Sequence, residues 1–118
     1  MEQLYRALAF SQTLKNQFMK KQLVQFNIPG MTAKQYDQAW EELRKAGQSN
    51  PPGLLHHIGA QQGSSWMVVD VWESAEAFNT FGKTLMPILG KLGVAVDKIK
   101  PVITPVHFEY TGVEETVL

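Results

Sequence analysis

Residues 66–81, WMVVDVWESAEAFNTF, contain most of the information about the fold. The first seven alternate in the manner of a β-strand, and both predicted faces are apolar: Met67, Val69 and Val71 on one, and Trp66, Val68 and Trp72 on the other. Ser74 then provides a helix N-cap, followed by Phe78 and Phe81 at helical spacing. A strand that is apolar on both faces is expected where helices cover one side of a sheet and another sheet or subunit covers the other. The stretch therefore gives the first indication of a dimer.

A strand and a helix are predicted upstream of this stretch. Residues 22–28 alternate at strand period and are stopped by the Pro-Gly pair at 29–30. Thr32 and Gln35 have the spacing of a capping box, which predicts a helix that ends near Gly47. The apolar side of this helix consists of Tyr36, Ala39, Trp40 and Leu43.

The remaining elements complete a βαββαβ order. Residues 54–59 form a further strand, joined to the strand at 66–72 by a hairpin loop. Pro87 is predicted to kink or split the second helix, and Pro105 places the last strand, residues 102–110, at an edge or a bulge. This order predicts an α+β, ferredoxin-like fold: an antiparallel four-stranded sheet with two helices on one face. Two such sheets packed face to face would form a dimeric α+β barrel.

Length and composition fit one domain without a strong electrostatic field. The 118 residues divide into an N-terminal extension (1–20), the barrel domain (21–112) and a C-terminal tail (113–118). Eleven basic side chains balance eleven acidic ones, so neither nucleic acid nor a membrane surface is an expected partner. The chain has no cysteine and no apolar run typical of a signal peptide or membrane span, which favours a cytoplasmic location.

His57 and Asp70 are the polar residues of the predicted sheet most suited to chemistry. A hairpin loop with an even number of residues, favoured because Gln62-Gly63 suits a tight turn, places His57 opposite Val68. His57 and Asp70 are then diagonal neighbours on one face, with Cα atoms about 7–8 Å apart. A five-residue loop would bring His56 to that face instead.

A histidine held by an aspartate inside an aromatic cavity can act as a general base. It could remove a phenolic proton so that the resulting anion reacts with oxygen, a scheme that needs neither metal nor flavin. Adjacent strand residues point to opposite faces, so His56 and His57 are not expected to form a metal pair. The alternative is structural, because the pair could satisfy buried polar groups at a dimer interface. The residues expected to line a substrate pocket are Trp66, Trp72, His56, Asn27, Trp40 and Phe78.

Residues 51–81, PPGLLHHIGAQQGSSWMVVDVWESAEAFNTF, resemble the antibiotic biosynthesis monooxygenase-like group of the dimeric α+β barrel superfamily. The resemblance extends over roughly residues 22–110 and implies a homodimer that binds a small aromatic or polyketide-like ligand. The superfamily includes cofactor-independent oxygenases, haem-degrading enzymes, lactone isomerases and ligand-binding regulatory domains.

The haem-degrading branch uses an Asn on the first strand, a Trp on the third and a His on the second helix. Asn27 and either Trp66 or Trp72 could supply the first two, but residues 74–92 contain no histidine, which disfavours that branch. The leading hypothesis is therefore a cofactor-independent monooxygenase with His57 as base. The alternative is a non-catalytic metabolite-binding or dimerisation module.

Overall fold

The computed structural model describes residues 20–112, so the tail and all but the last residue of the predicted N-terminal extension lie outside the described residues. The elements are β1 (Gln22–Pro29), α1 (Ala33–Lys45), β2 (Leu54–Gln62), β3 (Ser65–Trp72), α2 (Ala75–Lys91), a 3-10 turn (Val96–Lys98) and β4 (Val102–Pro105). The strands pair antiparallel in the order β2-β3-β1-β4. The predicted ferredoxin-like α+β fold is confirmed.

Both helices begin where the sequence predicts. The Gln35 backbone N–H donates to the Thr32 hydroxyl at 3.1 Å, and the Thr32 N–H donates to the Gln35 side chain at 2.9 Å. Ser74 caps α2 through the Ala77 N–H. The alternative that Pro87 splits the second helix is wrong, since α2 runs through it. Pro87 is exposed, so water can satisfy the carbonyl group that its missing N–H leaves free.

The β2–β3 hairpin differs from the predicted register by two residues. Gln62 pairs with Ser65 across a two-residue Gly63-Ser64 turn, and His57 lies directly opposite Asp70 rather than opposite Val68. Gly63 has a φ of +60° and Ser64 has no positive φ, the pattern of a turn that takes glycine at its first position. Because the shift is even, each side chain stays on its predicted face.

The two faces of the sheet differ in burial. The helix-covered face carries most of the core, to which the strands contribute Val24, Phe26, Ile28, Trp66, Val68 and Trp72. The opposite face, called the open face here, carries half-buried or exposed apolar side chains: Leu23, Ile58, Met67, Val69, Val71 and Val102. The predicted apolar character of both faces of β3 therefore holds, although one chain alone covers only one of them.

The last strand is shorter than predicted. β4 ends at Pro105 instead of residue 110, and it pairs only with β1. Pro105 is thus on an edge strand, as its missing N–H requires. Within residues 20–112 no helix is long and apolar enough to cross a membrane.

Candidate functional site

His57 and Asp70 form a direct hydrogen bond on the helix-covered face. The distance from His57 Nδ1 to Asp70 Oδ1 is 2.6 Å. Asp70 is only 3% exposed, while the side chain of His57 is 21% exposed. The predicted proximity of the two residues is confirmed, and the contact is closer than the diagonal arrangement expected because they are directly opposed.

The second oxygen of Asp70 is also paired. Trp72 Nε1 donates to Asp70 Oδ2 at 3.1 Å, within the same strand. Residues i and i+2 of a strand share a face, which is why the indole can reach the carboxylate. A buried carboxylate without partners would be costly, and these two donors fix its orientation.

Tyr36 occupies the other ring nitrogen of His57. The distance from the Tyr36 hydroxyl to His57 Nε2 is 2.6 Å. A carboxylate only accepts hydrogen bonds, so the tautomer that fits this site has its proton on Nδ1, and Nε2 of that tautomer accepts from the Tyr36 hydroxyl. A hydrogen-bonded chain therefore runs from Tyr36 on α1 through His57 on β2 to Asp70 on β3.

Burial keeps Tyr36 in its neutral, hydrogen-bond-donating form. The pKa of Tyr36 is raised above its ordinary value, mainly because burial disfavours the phenolate. Trp40 has the next largest effect and lowers the pKa, while the negative charges of Asp70 and Asp37 add smaller increases. A neutral Tyr36 is what the bond to His57 Nε2 requires.

Aromatic rings surround the hydrogen-bonded chain of Tyr36, His57 and Asp70. Tyr36 stacks on Trp66 with ring centroids 4.5 Å apart, and Trp40 meets His57 edge-on at 5.1 Å. A small cavity of about 40 Å³ lies between the helices and the sheet. Among the residues that line it are Tyr36, Trp40, Leu54, His57, Asp70 and Leu85. At about 10–15 Å³ per water, it has room for a few water molecules.

Four of the six predicted lining residues lie on the helix-covered side. Trp40 forms part of the cavity wall, and Trp66 supports Tyr36. Trp72 and Phe78 pack against each other with ring centroids 5.7 Å apart, and neither borders the cavity. The predicted wall of Trp66 and Trp72 is therefore a second layer behind the residues in contact with the cavity.

The structure does not bring Asn27 or His56 to this site, which corrects their predicted grouping with His57. Asn27 alternates with Phe26 and Ile28 and is exposed on the open face. His56 faces the same way, and its Nε2 lies 3.1 Å from Glu109 Oε2. The two-residue turn places His57 inside, and the alternation of the strand then places His56 outside.

Tyr36 is the member of the hydrogen-bonded chain whose polar contact the sequence does not reveal. Its position at helical spacing with Ala39, Trp40 and Leu43 predicts a core residue, and its ring is packed accordingly. Only the approach of α1 to β2 reveals that its hydroxyl reaches His57. Residues 20–112 contain no cluster of three or more metal-ligating side chains.

No family model matches the sequence, and no curated protein matches it. Among solved structures, the monooxygenase ActVA-Orf6 of Streptomyces coelicolor, in complex with nanaomycin D, has a TM-score of 0.55 at 14% identity, over 80% of this chain and 94% of that chain. A candidate antibiotic biosynthesis monooxygenase from Caulobacter crescentus has a TM-score of 0.53 at 16% identity, over 79% and 93%. A similar protein from Deinococcus radiodurans has a TM-score of 0.52 at 13% identity, over 76% and 96%. The chain thus has the fold of antibiotic biosynthesis monooxygenase-like proteins, as residues 51–81 imply.

Proposed function

We propose that this protein is a cofactor-independent monooxygenase that acts on a small aromatic substrate with an acidic hydroxyl group. The observation that carries the proposal is the chain of hydrogen bonds from Asp70 through His57 to Tyr36, at 2.6 Å for each bond of His57. These hydrogen bonds hold the imidazole and the Tyr36 hydroxyl at the wall of an aromatic cavity. The shared fold with ActVA-Orf6, a monooxygenase in complex with nanaomycin D, supports the same reading.

In the proposed reaction His57 Nε2 is the final acceptor of the substrate proton. Asp70 fixes the tautomer through Nδ1 and stabilises the imidazolium that forms. The electron-rich substrate anion then transfers an electron to dioxygen, and the two radicals combine to a peroxide. The His57 imidazolium returns its proton to the peroxide anion, and the resulting hydroperoxide loses water, whose second hydrogen comes from the same carbon. A carbonyl group then stands where the substrate had a CH₂ group, so one oxygen atom enters the product, the other leaves as water, and His57 is again neutral.

The size of the cavity sets a condition on substrate binding. About 40 Å³ is far below the roughly 300–1,000 Å³ of a typical ligand pocket. A bicyclic or larger substrate therefore requires a displacement of part of the cavity wall.

The open face supports a homodimer as part of the proposal. Ile58 is 61% exposed there, and β1 and β3 add the half-buried apolar side chains of Leu23, Met67, Val69 and Val71 to the same face. Large exposed apolar patches mark interfaces in soluble proteins. The same observation favours the second candidate function, a non-catalytic dimerisation module, in which His57 and Asp70 serve packing alone.

Oxygen consumption distinguishes the two functions. The wild type, His57→Ala and His107→Ala would be incubated with a panel of hydroquinones and anthrones in an oxygen electrode. We expect turnover of at least one substrate by the wild type, a loss of about 100-fold or more in His57→Ala, and no change in His107→Ala, whose side chain is exposed outside the site.

Thermal unfolding of the same three proteins would verify that each is folded. Turnover that survives in a folded His57→Ala would contradict the proposed base. A wild type that consumes no oxygen with any member of the panel would favour the non-catalytic module.

A further inference from the structure

Position 59 requires glycine because a side chain there would have no room, and not because of its backbone conformation. It lies on β2 opposite Val68 and has no positive φ, so any residue could adopt its backbone geometry. A Cβ at this position would lie 2.5 Å from the Tyr36 hydroxyl oxygen and 2.7 Å from Tyr36 Cζ. It would also lie 2.9 Å from Trp66 Nε1. The hydroxyl end of Tyr36 therefore occupies the space that a side chain at position 59 would fill.

Three contacts together fix the Tyr36 hydroxyl. Gly59 lies beneath it, Trp66 stacks on its ring at 4.5 Å, and His57 Nε2 accepts its hydrogen bond. The hydroxyl thus covers the nitrogen that a substrate proton must reach. A substrate in the cavity meets the Tyr36 oxygen first, which still has lone-pair capacity after donating its own proton.

We propose that Tyr36 is the residue that contacts the substrate and relays its proton to His57, and that Gly59 is the positioning residue that holds Tyr36 in place. This inference rests on the proposed function. The substrate O–H bond breaks as a bond to the Tyr36 oxygen forms, and the original Tyr36 proton moves to His57 Nε2. Tyr36 ends neutral, the substrate ends as an anion, and the positive charge lies on His57 beside Asp70.

The relay narrows the class of substrates that the site could use. Because both transfers are concerted, no phenolate forms on the buried Tyr36, whose ionised form burial disfavours. The group that donates the proton must approach Tyr36 with an O–H, as a phenol or an enol does. A substrate that offers only a C–H bond would need to enolise first.

Two pairs of variants test the relay. Tyr36→Phe removes the hydroxyl and keeps the ring on Trp66, and Tyr110→Phe is its control because Tyr110 is exposed. Gly59→Ala displaces the Tyr36 hydroxyl, and Gly82→Ala is its control because a Cβ there meets no atom within 4 Å. We expect Tyr36→Phe to lower kcat about 100-fold and Gly59→Ala about 10-fold or more, with KM changed less than about threefold and both controls unchanged.

A readout that packing alone would not alter is the acidity of Tyr36 itself. Fluorinated tyrosines of increasing acidity would be incorporated in a Tyr5→Phe/Tyr110→Phe background, so that Tyr36 is the sole tyrosine. A relay predicts that kcat changes systematically with the acidity of the phenol. A purely structural Tyr36 predicts a constant kcat.

The outcomes separate this inference from the proposed function. If Tyr36→Phe turns over substrate like the wild type while His57→Ala does not, the relay is wrong and the substrate reaches His57 directly. If the wild type itself is inactive, both proposals fail. If Gly59→Ala retains full activity and the Tyr36–His57 bond, seen by imidazole ¹⁵N NMR, Gly59 has no positioning role.

Discussion

His56 and His57 are neighbours in sequence, each has a carboxylate partner, and yet they lie in two different environments. His57 lies on the helix-covered face, 2.6 Å from an Asp70 that is 3% exposed. His56 lies on the open face with 49% of its side chain exposed, 3.1 Å from Glu109. Lys21 also pairs with Glu109 at 2.7 Å and lowers the pKa of that carboxyl group.

The difference between the faces teaches that burial, and not the residue pair, gives a histidine–carboxylate contact its chemical value. On the open face Lys21 also neutralises the carboxylate and water can bind the half-exposed His56, so the pairing is weak and replaceable. On the helix-covered face each polar atom of the pair has one assigned partner, and the loss of one leaves the others unsatisfied.

Removal of each carboxylate should give the largest contrast. Asp70→Ala leaves His57 Nδ1 and Trp72 Nε1 without acceptors in the interior, and we expect a loss of about 3–5 kcal/mol in the free energy of unfolding. Glu109→Ala, the matched change on the open face, should leave it nearly unchanged. Urea denaturation followed by tryptophan fluorescence measures both. Equal losses would mean that burial does not separate the two pairs.

An intermediate effect is expected from a charge on the open face. Ile58→Lys would place an ammonium group in the proposed dimer interface, and we expect the dimer dissociation constant to rise about 100-fold, or roughly 2.7 kcal/mol. Gln38→Lys, on the exposed side of α1, is the control. Sedimentation velocity over a concentration series gives the constants. A wild type that is monomeric at every concentration would show that the open face is not a self-association surface.

The smallest effect concerns alkaline pH. Burial raises the pKa of Tyr36 above its ordinary value of about 10. The folded state therefore holds this proton more tightly than the unfolded state, and the resulting stabilisation is complete below about pH 10 and is lost as the pH rises through the folded pKa. The stability advantage of the wild type over Tyr36→Phe should shrink above pH 10. Denaturation at pH 8 and pH 11 tests this, and an advantage that grows with pH would contradict it.

The sequence predicts the fold well because the fold depends on local signals. The Thr32–Gln35 capping box, the Ser74 cap and the alternation of residues 66–72 each act within a few residues. It also places His57 and Asp70 on one face, because the parity of the hairpin loop suffices for that. Which face the helices cover, and the exact turn residues, depend on tertiary packing and on the positive φ of Gly63.

The Tyr36–His57 bond could not be predicted in the same way. Tyr36 and His57 are 21 residues apart on different elements, and the hydroxyl reaches the imidazole only because Gly59 lacks a Cβ. A glycine inside a strand indicates a bulge or a close approach of other atoms, but not which atoms approach. Asn27 and His56 lie away from His57 because strand alternation directs them to the open face, which residue type alone does not indicate.

The two-residue Gly63-Ser64 turn gives this protein an unusual route for evolutionary change. A single-codon insertion in that turn would shift the register of β2 by one residue, which moves each of its side chains to the other face of the sheet. His57 and Gly59 would then leave the interior, and their neighbours in the strand would enter it. Point mutations alter the site one side chain at a time, whereas this insertion would replace every side chain that β2 places on the helix-covered face. Descendants with a longer turn should therefore carry a different chemistry on the same scaffold, or none.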